Sequence, residues 1–416
     1  MLPAMPEPTA LTDNQATPGR EAEAFIIRLA ELLHAYGTPA HRLEDALSVC
    51  ARRFGMEASF FSMPTSVLVS FGPPLTQRTA CLRADPGEIH LEKLVRLDEI
   101  LESVLAEELS LTEGLERLDQ VQAAPPRYPA WLTTGCFAVV SGAVTRFFGG
   151  GVAEIGTAMF IGLLIGLTAI VAGRRRELAR LLEFAAGLYA AFFATIAAGL
   201  VVPLDPYKVM LGSLIILLPG LTLTVAVNEL STRNLVSGTA RMANAMMIFI
   251  AIGFGVALGR RLGLALTEVV EVDAAALPEW TLVLALLVAS LGLTVLFRAR
   301  PRDVAVIVSI SYLAFYASRF ASAGLGPELG VFAAALIVGA ASNLYSRLAN
   351  RPAAVPTLPG VMLLVPGGVG FLSFASLLER DVITGIETAF TMFLVAAGLV
   401  AGLLVAQVAV PPRKSL

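Results

Sequence analysis

The chain is short of charge, of cysteine, and of any motif for nucleophilic, phosphate or metal chemistry. Only 15% of its 416 residues are charged, whereas soluble domains carry roughly 25%. The deficit is uneven: residues 1–127 hold 11 of the 30 Lys and Arg and 19 of the 33 Asp and Glu, and the rest hold 19 and 14. A net charge of −3 therefore hides −8 in front and +5 behind. Two stretches suited to different solvents imply two domains. Cys50, Cys81 and Cys136 are too widely spaced to form a metal-ligand pattern, and they read as buried small residues of a reducing compartment. No nucleophile elbow, P-loop or zinc pattern is present. Gly149-Gly150-Gly151 lacks the strand and helix context of a phosphate loop and reads as a tight turn. The first 20 residues lack the apolar core of a signal peptide and read as a disordered tail. No cofactor, metal or nucleic acid is expected.

What the chain does have is 56% hydrophobic residues and a mean hydropathy of +0.75. The front part, residues 21–127, has the alternation of a soluble α+β domain. Leu29, Leu32, Leu33 and Tyr36 recur at helical spacing over 21–36 and stop at Gly37, and a second helix over 40–54 stops at Gly55. Short strands are predicted at 57–63, 66–71 and 78–83, with Pro64 and Pro73-Pro74 between them. Two leucine-patterned helices follow, until Pro125-Pro126 and Pro129. His34, His41, Arg42, Glu44, Asp45, Thr65 and Ser66 could be arranged as a hydrolase site, but charged residues on an amphipathic helix read first as a solvated face.

Apolar segments begin after Pro129, at about 130–147, 154–173, 181–202, 207–228, 238–259, 280–297, 303–321, 327–345, 357–378 and 383–410. A helix needs about 20 residues to cross the hydrocarbon core, so about ten spans are predicted. With the front domain in the cytoplasm, the inner connections carry thirteen Lys and Arg, from Arg174 to Lys414. The outer ends carry six: Arg146, Lys208, Arg260, Arg261, Arg319 and Arg380. That bias places both termini inside. Glu268, Glu271, Asp273 and Glu279 lie in the largest outer connection.

Span four contains Pro219-Gly220, and span nine contains Pro366-Gly367-Gly368, each near mid-segment. Proline removes a backbone donor and glycine adds freedom, so each pair should break its helix. Matching positions in two five-span halves, 130–259 and 280–410, suggest an inverted-repeat transporter. The predicted fold is therefore a polytopic α-helical membrane protein with an N-terminal cytoplasmic α+β domain. Asn228 and Glu229 end span four, Asn244 begins span five, and Asn343 ends span eight. Arg319 and Glu387 lie within reach of the bilayer, where a pathway or pairing role is favoured, and with Asn228, Glu229, Asn244 and Asn343 they are the candidate coupling or pathway residues. Glu154, Glu183 and Glu229 stand near boundaries and read as solvated at the interface. A sensor with a membrane anchor would need one or two spans, a hydrolase would need a nucleophile beside its base, and a channel would share the broken helices.

The chain resembles the threonine/serine exporter family (ThrE-type) from about Arg28 to Val410. The resemblance lies in Gly37-Thr38-Pro39-Ala40-His41-Arg42-Leu43-Glu44, Phe54-Gly55 and Pro64-Thr65-Ser66. It continues in Phe148-Gly149-Gly150, Pro219-Gly220, Glu229-Leu230, Ser237-Gly238 and Arg241, then Pro359-Gly360 and Leu364-Val365-Pro366-Gly367-Gly368. The order of these motifs is more specific than any one of them. Glu229 departs from the pattern, which expects Asp, and keeps the charge. The resemblance implies proton-driven export of threonine and serine across a bacterial inner membrane. Relatives with separate halves are linked to succinate export, and the fused form favours amino acids. For such a substrate, the broken helices offer amide ends for a carboxylate and carbonyl ends for an ammonium group. Pro219, Gly220, Pro366, Gly367 and Gly368 are expected to face each other as the floor of the site. Thr222, Thr224 and Ser373 would add hydroxyls, and Glu387 is the candidate for proton coupling.

Overall fold

The computed structural model describes residues 18–83, 89–268, 277–378 and 381–413. The expected tail over residues 1–17, and Glu271, Asp273, Arg380 and Lys414, lie outside the described residues.

The N-terminal segment begins with α1 (Pro18–Ala35) and α2 (Ala40–Arg53), then β1 (Ala58–Met63), β2 (Ser66–Phe71) and β3 (Arg78–Arg83). It continues with α3 (Leu91–Leu105) and α4 (Leu111–Ala123). The two predicted glycine stops hold: Gly37 and Gly55 have φ of +85° and +66°, the left-handed turn that ends a helix. The strands form an antiparallel sheet in the order β1-β2-β3, with Ala58 opposite Phe71 and Ser66 opposite Arg83. Val67, Val69 and Phe71 of β2 alternate inward, as period two requires, onto Phe25, Leu29 and Leu47. Cys50 is buried in this core, which pushes its thiol up to about 12. Cys81, expected inside, is exposed on β3, because the outer face of this edge strand has no layer over it.

The remaining chain is helical. It comprises α5 (Ala130–Phe147), α6 (Val152–Ala172), the single turn α7 (Arg176–Ala179), α8 (Leu182–Ile196), α9 (Pro206–Leu214), α10 (Gly220–Ser231) and α11 (Leu235–Leu264). The second half comprises α12 (Trp280–Leu296), α13 (Val304–Leu325), α14 (Pro327–Ala349), α15 (Ala354–Met362), α16 (Gly367–Leu378) and α17 (Val382–Ala409). Among the described residues, seven helical stretches are long and apolar enough to cross a bilayer, and α12 is a shorter apolar helix. Each of the ten segments predicted from the sequence is helical, but α5 and the interrupted α9–α10 pair fall outside those seven. Phe160, Leu163, Leu167 and Val171 form an exposed apolar stripe on α6, and Met247, Ile250, Phe254 and Leu258 form another on α11. Exposed stripes of this size are a surface for lipid. The chain is a multi-pass membrane protein.

Several helix packings recur in the two halves, although α5 lies closely on α6 while α12 meets α13 over a smaller contact. α8 packs on α11 as α14 packs on α17, α10 lies on α11 as α16 lies on α17, and α9 meets α6 and α8 as α15 meets α13 and α14. One device recurs at the largest contacts. Gly255 and Gly259 of α11 press on the α8 backbone at Phe184 and Leu188, and Gly398 and Gly402 of α17 press on α14 at Glu328 and Phe332. Small residues four apart let helix backbones approach where no hydrophobic effect drives association.

Candidate functional site

The two predicted helix breaks meet. Between α9 and α10 the chain turns tightly, with the Gly220 amide donating to the Leu218 carbonyl at 2.8 Å. Between α15 and α16 it turns through Leu363 to Pro366, and the Gly370 amide then donates to the Pro366 carbonyl at 3.0 Å. A side chain added at Gly220 would place its Cβ 2.9 Å from the Gly367 amide nitrogen and against the Val365 side chain. The first turns of α10 and α16 thus converge on one crossing, with Pro219, Gly220, Pro366, Gly367 and Gly368 all buried. They touch, so the crossing itself has no room for a ligand.

Cavities lie to either side. Toward the N-terminal segment, one of about 90 Å³ is bounded by Pro39, His41 and Arg42 of that segment and by Thr224 and Asn228 of α10. Asn343 of α14, Thr357 of α15 and Gln407 of α17 complete the polar part of its wall. On the other side, a cleft of about 770 Å³ runs between α9, α11 and α16, with Phe371 and Ala375 on its wall and Arg260 5.3 Å from the Tyr207 ring centre. A third cavity, about 390 Å³ and mostly apolar, flanks Pro219 and Thr222.

The N-terminal segment is fastened to the bundle at two places. Pro39 starts α2 and leaves the Ala40 amide free of any intrahelical acceptor. That amide donates at 3.0 Å to Glu229, whose carboxylate is fully buried at the end of α10. Ser237 donates its hydroxyl to Glu229 at 2.7 Å, and Arg241 Nε lies 3.0 and 3.1 Å from its two oxygens. A carboxylate at a helix N-terminus also meets the positive end of the dipole. Beside it, the Asn228 amide is 3.4 Å from His41 Nε2. Burial, helped by the nearby Arg42 charge, pushes His41 down to about 4, so the ring is neutral at pH 7. Its Nδ1 is buried without a partner among the described residues. The second fastening is α3 against the α12–α13 link. Leu91 N donates to Phe297 O at 3.0 Å, Arg300 is bidentate to Glu99, and Tyr128 donates to Ala299 O at 2.8 Å.

The other predicted residues scatter. Thr224 is buried at the cavity and donates to the Gly220 carbonyl at 3.0 Å. Thr222 lines the apolar cavity. Ser373 is buried away from the crossing and donates to the Gly385 carbonyl. Glu387 stands on an exposed face of α17 near its start and touches neither cavity. Arg319 is exposed and pairs with Glu279 at 3.4 Å, and Asn244 is exposed on α11. Two acids read as interfacial are buried instead. Glu229 is the latch just described, and Glu154 accepts from the Gly151 and Asp205 amides at 2.9 and 3.0 Å. Of the residues that suggested a hydrolase, Glu44 accepts from the Ser62 amide, Asp45 is exposed, and His41 faces Asn228 rather than a hydroxyl. Arg42, read as part of a solvated helix face, lines the cavity. The signal for it was present: Thr38-Pro39 fixes where α2 starts and so aims its first turn.

A multi-pass helical bundle with two broken helices crossing at its centre, and a cavity on each side of the crossing, has the architecture of a membrane carrier. The particular family follows from comparison. Residues 24–263 match the family described as "Putative threonine/serine exporter", and residues 282–409 match "Threonine/Serine exporter, ThrE". The chain belongs to the threonine/serine exporter family, in its fused two-half form. Similar proteins include the pheromone-regulated membrane protein 10 of Saccharomyces cerevisiae, 27% identical over 88% of this chain and 48% of that protein. Those of Candida albicans (29%, over 89% and 34%) and Yarrowia lipolytica (28%, over 84% and 30%) are further examples. The chain thus spans about half or less of the length of these relatives. No solved structure matches.

Proposed function

We propose that the protein is a secondary exporter of small polar amino acids, threonine and serine, coupled to protons across a bacterial inner membrane. Its ten spans form two inverted halves, 130–259 and 280–410, with both termini and the α+β domain of residues 21–127 in the cytoplasm. The observation that carries this reading is the pair of cavities on opposite sides of one closed crossing. Rocking one half against the other would open one cavity while shutting the other, as alternating access requires. The crossing also explains how mid-membrane breaks are tolerated, because it buries their backbone groups in protein rather than lipid. The orientation is supported by Arg241, Arg300 and Arg351, which lie on the face that carries the N-terminal segment. That segment acts as a plug over the inner cavity and performs no chemistry.

Counterflow in proteoliposomes with labelled threonine, serine and succinate tests the substrate. Saturable exchange of threonine and serine that responds to a pH gradient is expected. Exchange of succinate alone would move the protein to dicarboxylates, and non-saturating flux would make it a channel. Accessibility labelling of single cysteines at positions 176, 270 and 300 tests the topology. Labelling of 270 from the same side as 176 would contradict it.

A further inference from the structure

Among the charges at the domain interface, Arg42 stands apart. Arg241 is held by Glu229, Arg300 by Glu99, Arg351 by Asp303, and Arg127 by Glu92. Arg42, half-buried in the first turn of α2, makes no hydrogen bond or ion pair with any described residue. The acids near it are committed elsewhere or turned away: Glu229 to Ala40, Ser237 and Arg241, Glu44 to the Ser62 amide, and Asp45 to solvent. Burial alone acts on the guanidinium and lowers its pKa, with no neighbouring anion to offset it. A half-buried cation with no anion beside it is less well solvated than one in water, and an anion arriving in the cavity would relieve that.

The cavity that Arg42 lines is largely apolar and otherwise uncharged, with a few polar side chains set into its wall. Thr224, Asn228, Asn343, Thr357 and Gln407 offer neutral donors and acceptors, and the neutral His41 ring keeps an unpartnered Nδ1. The converging amide ends of α10 and α16 were the other candidate receptor for an anion, but the contact between Gly220 and Gly367 closes them. The cavity is small, about 90 Å³, so a solute enters as it widens.

We propose that Arg42 receives the carboxylate of the transported solute on the N-terminal side of the crossing, so that the N-terminal segment supplies part of the transport site. The inference rests on the export reading above and adds to it the residue that selects a carboxylate. A guanidinium binds a carboxylate through two parallel hydrogen bonds, which an ammonium cannot reproduce.

The test uses the full chain in proteoliposomes, comparing wild type, R42K and R42Q in threonine counterflow. R42Q is expected to raise KM at least tenfold with kcat changed less than threefold, and R42K to fall between. Threonine amide, which lacks the negative charge, should not compete with threonine on wild type and should compete on R42Q. Melting temperature without solute separates binding from structure: R42Q should melt at or above wild type, because it removes an unpaired cation. Millimolar threonine, serine or succinate should raise the melting temperature of wild type and not of R42Q. An unchanged KM in R42Q overturns the assignment, as does a lower melting temperature with loss of kcat alone. Wild type that neither moves nor is stabilised by any of the three solutes overturns the export reading itself.

Discussion

In the first half, α10 leaves the crossing and ends on Asn228 and Glu229, both engaged by the N-terminal segment. Its counterpart α16 leaves the same crossing in the second half and turns back onto α17, where Ser373 bonds the Gly385 carbonyl. The glycines at the crossing differ in the same sense. A Cβ at Gly220 would intrude on Gly367 and Val365, whereas one at Gly367 would meet its nearest atom, Leu218 Cβ, at 3.4 Å, an ordinary contact. Several helix contacts recur in both halves, while the N-terminal segment is attached differently to each: through the buried Glu229 latch to the first, and through α3 on the α12–α13 link to the second. The recurring contacts are those between apolar helices, and the differences lie where buried charge joins the N-terminal segment to the bundle.

The largest effect expected is at the latch. Glu229→Ala would leave Arg241 without its carboxylate and the Ala40 amide without its acceptor. Removing one partner of a buried pair costs about 3–5 kcal/mol. Thermal unfolding in detergent should show it, together with faster proteolysis between α4 and α5. A melting curve like wild type would mean that the latch does not hold the N-terminal segment to the first half.

Next come the paired glycine contacts. Gly259→Leu in α11 and Gly402→Leu in α17 each force a side chain onto a neighbouring backbone, at Leu188 and Phe332 respectively. Overpacking costs about 1–3 kcal/mol, and the two losses should agree within about 1 kcal/mol if the scaffold is truly repeated. A large loss in only one half would break the comparison. The crossing glycines sharpen it in the other direction. Gly220→Ala should lose about 1–3 kcal/mol, while Gly367→Ala should stay within about 1 kcal/mol of wild type. Equal melting temperatures for the two variants would show that the crossing is symmetric.

The smallest effect lies in the N-terminal segment. Hydrogen bonds from Arg127, then its charge and that of Arg96, hold the Glu92 carboxyl at about 2 despite its burial. A depressed carboxyl stabilises the fold above its unfolded value near 4.5, and the stabilisation is lost as pH falls toward about 2. Both arginines are substantially exposed, so the contribution is discounted to about 1 kcal/mol. Glu92→Gln should remove this part of the pH dependence between 4.5 and 2 and leave the membrane helices' melting unchanged.

Local signals were legible because they are periodic or steric. The three strands lie within one residue of where alternation and proline placed them, and both Pro-Gly breaks interrupt helices where the backbone argument requires it. That the breaks would face each other was also inferred, from their matching positions in the two halves. The individual polar residues were less legible. Glu154 and Glu229 sit at segment ends, where solvation and burial look alike in a sequence, and the amides that bury them come from residues 51 and 189 positions away. Glu387 lies within an apolar run, yet it is the rotation of α17 that turns it outward. The small-residue spacing of Gly255 and Gly259 recurs at Gly398 and Gly402, but its meaning depends on which helix lies opposite.

The order of residues by itself determined the class of protein, the segments that become helices, the two places where helices must break, and the family. Each of these follows from hydropathy, period or backbone chemistry within a few turns of chain. Only the tertiary structure decided that the crossing is closed, that cavities lie to either side of it, and that α2 enters the wall of one of them. It also decided which charges are paired, and that Arg42 pairs with no described residue, because a salt bridge depends on distances of a few ångströms between residues that are far apart in the chain.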